Sequence, residues 1–389
     1  MVGDFRIEAV LSEINIRKAI RHMVQRNTGC GYDGMYAREL APFWERNGAE
    51  IREKIRNYTY IPVAAVQVRL RKPNGEYRIL EIPAVRDRML QYAICNVMTP
   101  YYERIFSRYS FGFRPGRSTL DAVTCCLKLM NQGRAYAADL DIRKYFDSIN
   151  QRMLIRFLEQ DIHDKAILEL IKSYLGMAVY TRHNVYRKVH GVIQGGPLSP
   201  LLANIFLHPL DFFLEGKRIA FVRYADDIVL LCHDRSEAEA ALGIVERFLR
   251  EELRLRLNHA KTRLVRVSEL YFLGYAFREN HGGIEADVGG KGMQKMQRAL
   301  ESHCGQPGKG ASEWWDRWGA FNRGWINYYR LVPEDVFSEY AAEMERMEEE
   351  EIRNRIMWND DLLEALWDSR GYISPCDWYE EARKLLWRQ

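Results

Sequence analysis

Two hydrophobic periods alternate along the chain, and their order predicts a mixed α+β body followed by an all-helical end. Residues 12–58 carry helical periodicity, interrupted by the glycine-rich connection "NTGCGYDG" at 27–34. Residues 63–82 switch to strand-like alternation. "VAAVQVRLRK", the turn "PNGE" and "YRILEI" predict a two-stranded ribbon, because Asn-Gly supplies the positive φ of a tight hairpin. Helical periodicity returns at 86–106 and 118–132, on either side of the loop "SFGFRPGRS". "AYAADLDIRKYF" (135–146) alternates as a strand, and "QRMLIRFLEQDI" and "DKAILELIKSYL" predict two amphipathic helices. A further helix follows "GGPLSP", and "SEAEAALGIVERFLREEL" predicts another, capped by Ser236. "YFLGYAF" (271–277) is strand-like, and from about 291 onward the pattern is helical.

One apolar run breaks its own pattern. In "FVRYADDIVLL" (221–231) two adjacent aspartates interrupt what otherwise reads as a buried strand. An unpaired buried carboxylate is costly, so Asp226 and Asp227 either sit at the tip of a tight hairpin or face something cationic. A second acidic cluster is "ADLDIRKYFD", where Asp139 and Asp141 share one face of the strand. Carboxylates on one strand and at a hairpin tip are the donor set of a pair of Mg²⁺ ions, which take hard oxygen ligands and leave positions for water and phosphate. Two such ions serve phosphoryl transfer. Turn and surface carboxylates give the same local pattern, so the reading depends on the rest of the chain.

Charge supports a polyanionic partner. The net charge is only +4, yet residues 1–135 hold 22 Lys/Arg against 13 Asp/Glu, whereas 334–389 hold 7 against 16. A basic body is thus masked by an acidic tail. Seven cysteines, with Cys125 and Cys126 adjacent and no C-x-x-C pair, predict reduced thiols of a cytoplasmic protein. The N-terminal "MVGDFRIEAV" has no secretory pattern, and "PLSPLLANIFLHPLDFFL" is too broken by prolines, His208 and Asp211 to span a membrane.

Five motifs in order resemble reverse transcriptases. "VRYADDIVLL" resembles their Y-x-D-D hairpin, and "QGGPLSPLLANIFLHPLD" (194–211) their Gln-Gly-x-Pro-x-Ser-Pro loop and helix. "LDIRKYFDSI" (140–149) resembles the strand whose Asp precedes an aromatic by five residues, which selects Asp141 over Asp139. "LRLNHAKTRLV" (255–265) resembles the lysine-bearing segment, and "YFLGYAF" the primer-grip hairpin. "NTGCGYDG", "RKPNGEYRILEIPAVRDRMLQYAI" and "SRYSFGFRPGRSTLDAV" are similar to the fingers of group II intron enzymes, and "WGAFNRGWINYYR" (318–330) to the start of their thumb, or maturase, domain.

The resemblance implies an α+β right-hand polymerase. Residues 1–134 form an N-terminal extension and fingers, 135–288 a palm with an antiparallel sheet, and 289–389 an all-α thumb with the acidic tail. It implies RNA-templated addition of dNTPs to the 3′-hydroxyl of a DNA or RNA primer. Asp141, Asp226 and Asp227 would hold two Mg²⁺ ions (with Mn²⁺ as a substitute), and Ile142 would lend its carbonyl. Phe146 would lie under the sugar as a gate against ribonucleotides, Lys72 and Arg78 would clamp the triphosphate, Gln194 would contact the nucleotide or templating base, and Lys261 would protonate pyrophosphate. Arg86, Arg88, Arg114 and Arg117 would track the template, and Phe272, Leu273 and Gly274 the primer. The aromatic set Trp314, Trp318, Phe321, Trp325 and Tyr328 reads as a packing stripe, with Arg317, Arg323 and Arg330 off it.

Three departures narrow the biology. "RILEIP" has Glu81 where the intron enzymes carry glycine, which brings a carboxylate close to the triphosphate or template path. No endonuclease constellation follows the thumb, and the tail is acidic where a maturase is basic. An enzyme recruited to phage defence or CRISPR spacer acquisition, including untemplated or protein-primed synthesis, is one alternative; an RNA-binding splicing factor is another. In the first, a dedicated structured RNA serves as template, or a protein docks on the tail.

Overall fold

The computed structural model describes residues 5–26, 29–71, 75, 77–304 and 311–355. The chain divides into two units. The first comprises 1–117, 140–228 and 240–262, and the second 118–139, 229–239 and 263–389.

In chain order the elements begin with α1 (Ile7–Val10), α2 (Glu13–Gln25), α3 (Leu40–Arg56), β1 (Ala65–Arg71), β2 (Tyr77–Ile82) and α4 (Val85–Ile105). Then come α5 (Thr119–Met130), β3 (Tyr136–Asp141), α6 (Tyr145–Ser148), α7 (Gln151–Asp161), α8 (Lys165–Leu175), β4 (Ala178–Tyr180) and β5 (Val185–Arg187). They are followed by α9 (Ser199–Gly216), β6 (Phe221–Tyr224), β7 (Asp227–Cys232), α10 (Arg235–Glu251) and β8 (Arg263–Arg266). The chain continues through β9 (Tyr271–Phe272), β10 (Tyr275–Asn280), β11 (Gly283–Asp287), α11 (Gly289–Cys304), α12 (Ala311–Tyr328) and α13 (Glu334–Arg355).

Local chemistry sets several boundaries. Ser12 accepts the Asn15 N–H at 3.3 Å to start α2, and Asp164 accepts those of Ala166 and Ile167 to start α8. The α10 cap falls on Asp234, which accepts the Glu237 N–H at 2.8 Å, and not on Ser236. Glu237 in turn accepts the His233 N–H at 2.7 Å, so the acidic pair closes the turn two residues earlier than the serine. The strand expected over 135–146 ends at Asp141, because Lys144 turns left-handed (φ 45°) and Tyr145 starts a short helix. The Tyr145 hydroxyl donates to the Ala203 carbonyl at 2.5 Å and fixes that helix on α9.

The first unit holds a sheet of order β2-β1-β4-β5. β1 and β2 pair antiparallel from Val66↔Ile82 to Arg71↔Tyr77, and β1 runs parallel to β4. A second sheet has the order β6-β7-β3-β8, and β8 pairs antiparallel with β3. Helix α9 is largely buried as far as Asp211, as its nearly unbroken apolar sequence requires, while Phe212 in its last turns is exposed. The strands β4, β5, β8 and β11 are absent from the expectation, since three to five residues are too few to display a period of two.

The second unit holds the sheet β11-β10-β9 with helices α11, α12 and α13. Trp318 and Trp325 on α12 are buried, Trp318 stacks on Phe321, and Trp325 meets Phe337 of α13 at 6.0 Å. The acidic α13 is itself packed through Val336, Phe337, Ala341 and Met344, and buried Glu348 accepts from Asn322 at 2.5 Å. The remainder of the acidic tail, 356–389, lies outside the described residues. Among the described residues no helix is long and apolar enough to cross a membrane.

Candidate active site

Asp141 ends β3, Asp226 sits in the β6–β7 turn, where Ala225 takes a left-handed conformation (φ 59°), and Asp227 opens β7. The carboxyl of Asp226 is raised above the usual aspartate range, first by burial and then by the negative charge of Asp141. The N–H of its own backbone, Arg78 and Arg223 oppose that rise. The negative charge of Asp141 thus reaches the Asp226 carboxyl. Among the described residues no three His, Cys, Asp or Glu gather at metal-binding spacing. Asp141 and Asp226 are part-buried and Asp227 is exposed, and a cation at this place would be held by these carboxylates. Backbone bonds flanking Ile142 engage the Asp141 carbonyl and the Arg143 N–H, and the Ile142 carbonyl is not among them. Such a set of hard oxygens suits a divalent ion that keeps water and phosphate oxygens for its remaining positions.

Residues that the motifs did not single out hold these carboxylates. Asn258 donates from Nδ2 to Asp141 Oδ2 at 2.9 Å, and its backbone N–H to the Asp141 carbonyl at 2.8 Å. The Asp141 N–H donates to Thr262 Oγ1 at 3.3 Å. Asn258 and Thr262 flank Lys261, which lies exposed on the same turn. The hairpin is held from beneath by Arg223, fully buried, which forks onto Asp211 at 2.7 and 2.5 Å. Its remaining donors reach Asn204 Oδ1 at 2.8 Å and the Ala225 carbonyl at 3.0 Å. Asn204 and Asp211 are seven apart, two turns along one face of α9, and two polar residues repeated that way in an apolar helix were the available signal.

The loop before α5 completes the support. Ser110 forms a parallel bridge with Arg223, and the Phe111 N–H donates to the Arg223 carbonyl at 2.8 Å. Gly112 lies so close to the hairpin that a Cβ there would meet the Ala225 nitrogen at 2.3 Å.

Arg78, Phe146 and Gln194 line one cavity of about 460 Å³, together with Arg88 and Gly195, and none of Asp141, Asp226 and Asp227 is among its lining residues. Arg78 and Gln194 also line a second cavity of about 640 Å³. Lys72 lies outside the described residues. Asp139 is paired with Arg263 at 2.7 Å, which commits it to the β3–β8 pairing.

The four arginines expected along a template separate. Arg114 is a correction: it is buried and forks onto Glu103, with its other nitrogen on the Ser107 and Ser110 carbonyls at 2.6 and 2.7 Å. Its donors are consumed in shaping the loop, so it offers none to a phosphate. Arg88 is buried and donates to the Gly29 carbonyl, whereas Arg86 is part-exposed next to Asp87. Arg117 is part-exposed and donates to the Arg108 carbonyl at 2.8 Å.

Phe272 is buried, and Leu273 and Gly274 form the left-handed turn between β9 and β10 (φ 49° and 84°). Tyr328, the last residue of α12, and Tyr329 just after it donate to the Leu273 and Gly274 carbonyls, the latter at 2.9 Å.

A family model described as reverse transcriptase (RNA-dependent DNA polymerase) matches residues 70–277. Protein YkfC of Escherichia coli (strain K12) is 31% identical over 265 residues, covering 58% of this chain and 69% of that protein. The group II intron-encoded protein LtrA of Lactococcus lactis subsp. cremoris is 31% identical over 198 residues. That match covers 51% of this chain and only 33% of LtrA. A chain of a solved partial Cas6-RT-Cas1–Cas2 complex is 25% identical with a TM-score of 0.38, covering 62% of this chain and 42% of that one.

Proposed function

The chain belongs to the reverse transcriptase (RNA-dependent DNA polymerase) family, and on that premise we propose that it extends a DNA or RNA primer with deoxynucleotides along an RNA template. The observation that carries this reading is the placement of Asp141 at the end of β3, and of Asp226 just before and Asp227 at the start of the neighbouring strand β7, where the Asp141 charge helps to raise the Asp226 carboxyl. Like charges are brought together where a cation belongs, and the oxygen-only donor set favours Mg²⁺, with Mn²⁺ as a substitute. When bound, divalent ions activate the primer 3′-hydroxyl and offset charge on the triphosphate.

The chain's own residues do the rest. Asp141, Asp226 and Asp227 present carboxylate oxygens and Ile142 its carbonyl, while Asn258 fixes the direction of the Asp141 carboxylate. Arg78, whose charge already reaches Asp226, draws the triphosphate toward the carboxylates, together with Lys72. Phe146 forms the floor under the sugar, Gln194 meets the nucleotide or templating base, and Lys261 donates a proton to departing pyrophosphate. Residues 1–134 act as fingers, 135–288 as palm and 289–389 as thumb. Arg86, Arg88 and Arg117 contact the template backbone, and Phe272, Leu273 and Gly274 the primer end.

Primer extension on a defined RNA template, with Mg²⁺ and four deoxynucleotides, tests this reading. Template-directed product is expected from the wild type and none from Asp226→Ala/Asp227→Ala. Product from the double variant would sink the carboxylate assignment, and product whose sequence ignores the template would sink templated synthesis.

A further inference from the structure

Glu81, which stands on β2 in place of a glycine, does not confront the nucleotide path as a bare charge. Its side chain is 5% exposed, and Lys188, 9% exposed, donates to its Oε2 at 2.6 Å. The Tyr186 hydroxyl donates to the other oxygen at 3.0 Å. The same lysine donates to Asp147 Oδ1 at 3.2 Å, so one buried cation bridges two carboxylates. Asp147 Oδ2 then accepts from Gln194 Nε2 at 3.4 Å, and the Glu81 N–H donates to the Gln194 carbonyl at 2.7 Å. Both the backbone and the side chain of Gln194 are thus held by one connected set of groups.

The chemistry of that set has a direction. A carboxylate only accepts, so the end of Gln194 that meets Asp147 is the amide nitrogen. That leaves Oε1 as the group available to a substrate. Gln194 lines the 640 Å³ cavity, shared with Lys188 and Asp147, and the 460 Å³ cavity, shared with Phe146 and Arg78. The loop is pressed onto α6 as well. The Val192 N–H donates to the Phe146 carbonyl at 2.8 Å, and Gly191 (φ 74°) sits where a Cβ would meet that oxygen at 2.5 Å.

The geometry points to Glu81, Lys188 and Asp147 as a positioning relay that locks the Gln194 amide with its oxygen toward the nucleotide site and thereby sets nucleotide selection. This rests on the reading of Gln194 as a nucleotide or template contact. The amide oxygen reads a hydrogen-bond donor on the base or sugar that enters. Lys188 supplies the positive charge that keeps Asp147 in place, and Glu81 supplies the negative charge that keeps Lys188 buried. None of the three touches the reacting atoms.

The test measures kcat and KM for correct and incorrect nucleotides in primer extension, together with equilibrium binding of a fluorescent deoxynucleotide to the protein–primer–template complex. Lys188→Met alone strands the buried Glu81 charge and risks unfolding, so Glu81→Gln/Lys188→Met is used, with Asp147→Asn, Lys188→Arg and Gln194→Ala alongside. The double variant and Asp147→Asn are expected to raise KM for the correct nucleotide about tenfold. Discrimination is expected to fall while kcat stays within about twofold. Lys188→Arg keeps wild-type values. If Gln194→Ala weakens binding but the double variant and Asp147→Asn do not, the relay is overturned and the nucleotide role of Gln194 stands. If Gln194→Ala changes neither binding nor selection, the role of Gln194 falls and the relay with it, while templated synthesis remains judged by the aspartate variants.

Discussion

Arg223 forks onto Asp211 with neither side chain exposed to solvent, directly beneath the turn that carries Asp226 and Asp227. The same guanidinium holds the Ala225 carbonyl, so the buried pair and the candidate metal-binding turn are one mechanical unit. A buried pair contributes little net stability against apolar residues of equal volume, but breaking it leaves a charge without compensation.

Asp211→Ala is therefore expected to cost about 3–5 kcal/mol. Arg223→Met/Asp211→Leu, which removes both charges, recovers most of that loss in urea unfolding. Equal destabilisation by the single and double variants would show that shape, and not charge, holds the turn.

Asn258→Ala removes the amide that aims the Asp141 carboxylate, without opening a cavity in the core. Polymerisation is expected to drop about 10–100-fold, as for groups that orient metal ligands. The melting temperature is expected to stay near that of the wild type. Unchanged extension rates would mean that Asp141 is oriented by its strand alone.

Gly112→Ala places a methyl against the Ala225 backbone nitrogen, which cannot yield as a flexible side chain would. Destabilisation of about 1–3 kcal/mol is expected. Activity measured well below the melting temperature falls with it, because the displaced atoms belong to the aspartate turn. A variant as active and stable as the wild type would show that loop and hairpin part without cost.

Asp87 offers a pH signature away from the reacting groups. Fully buried, it accepts the Tyr60 hydroxyl at 2.7 Å and the Val63 N–H at 3.0 Å, and its carboxyl is pushed up to about 6, chiefly by burial. The folded chain holds this proton to higher pH than the unfolded chain does. The contribution of the site to stability is fully present below the ordinary value of 3.8 and falls as pH rises to about 6. The stability difference between wild type and Asp87→Asn is expected to decline across that window and to level off above it. A difference constant through the window would mean that Asp87 ionises alike in both states.

Much of the architecture was legible in the chain because long periodic segments carry redundant signal: α2, α3, α4 and α9 each repeat their apolar pattern over three turns or more. The chemistry-bearing motifs were legible for a different reason. Asp226 and Asp227 are marked locally because they break an apolar run, whereas the choice of Asp141 over Asp139 came from the resemblance to reverse transcriptases. The short strands β4, β5 and β8 left no such mark.

What the sequence determined by itself was the order of elements and the residue types at the candidate site, since both follow from local pattern. Only the tertiary structure decided how each charge is spent. Arg114 and Arg117 look alike in "GFRPGRS", yet one is buried on Glu103 and the Ser107 and Ser110 carbonyls while the other is part-exposed. Glu81 and Lys188 are 107 residues apart, and nothing local says that they neutralise each other. The cost of a buried charge depends on what the fold brings within hydrogen-bonding distance, and that partner comes from elsewhere in the chain.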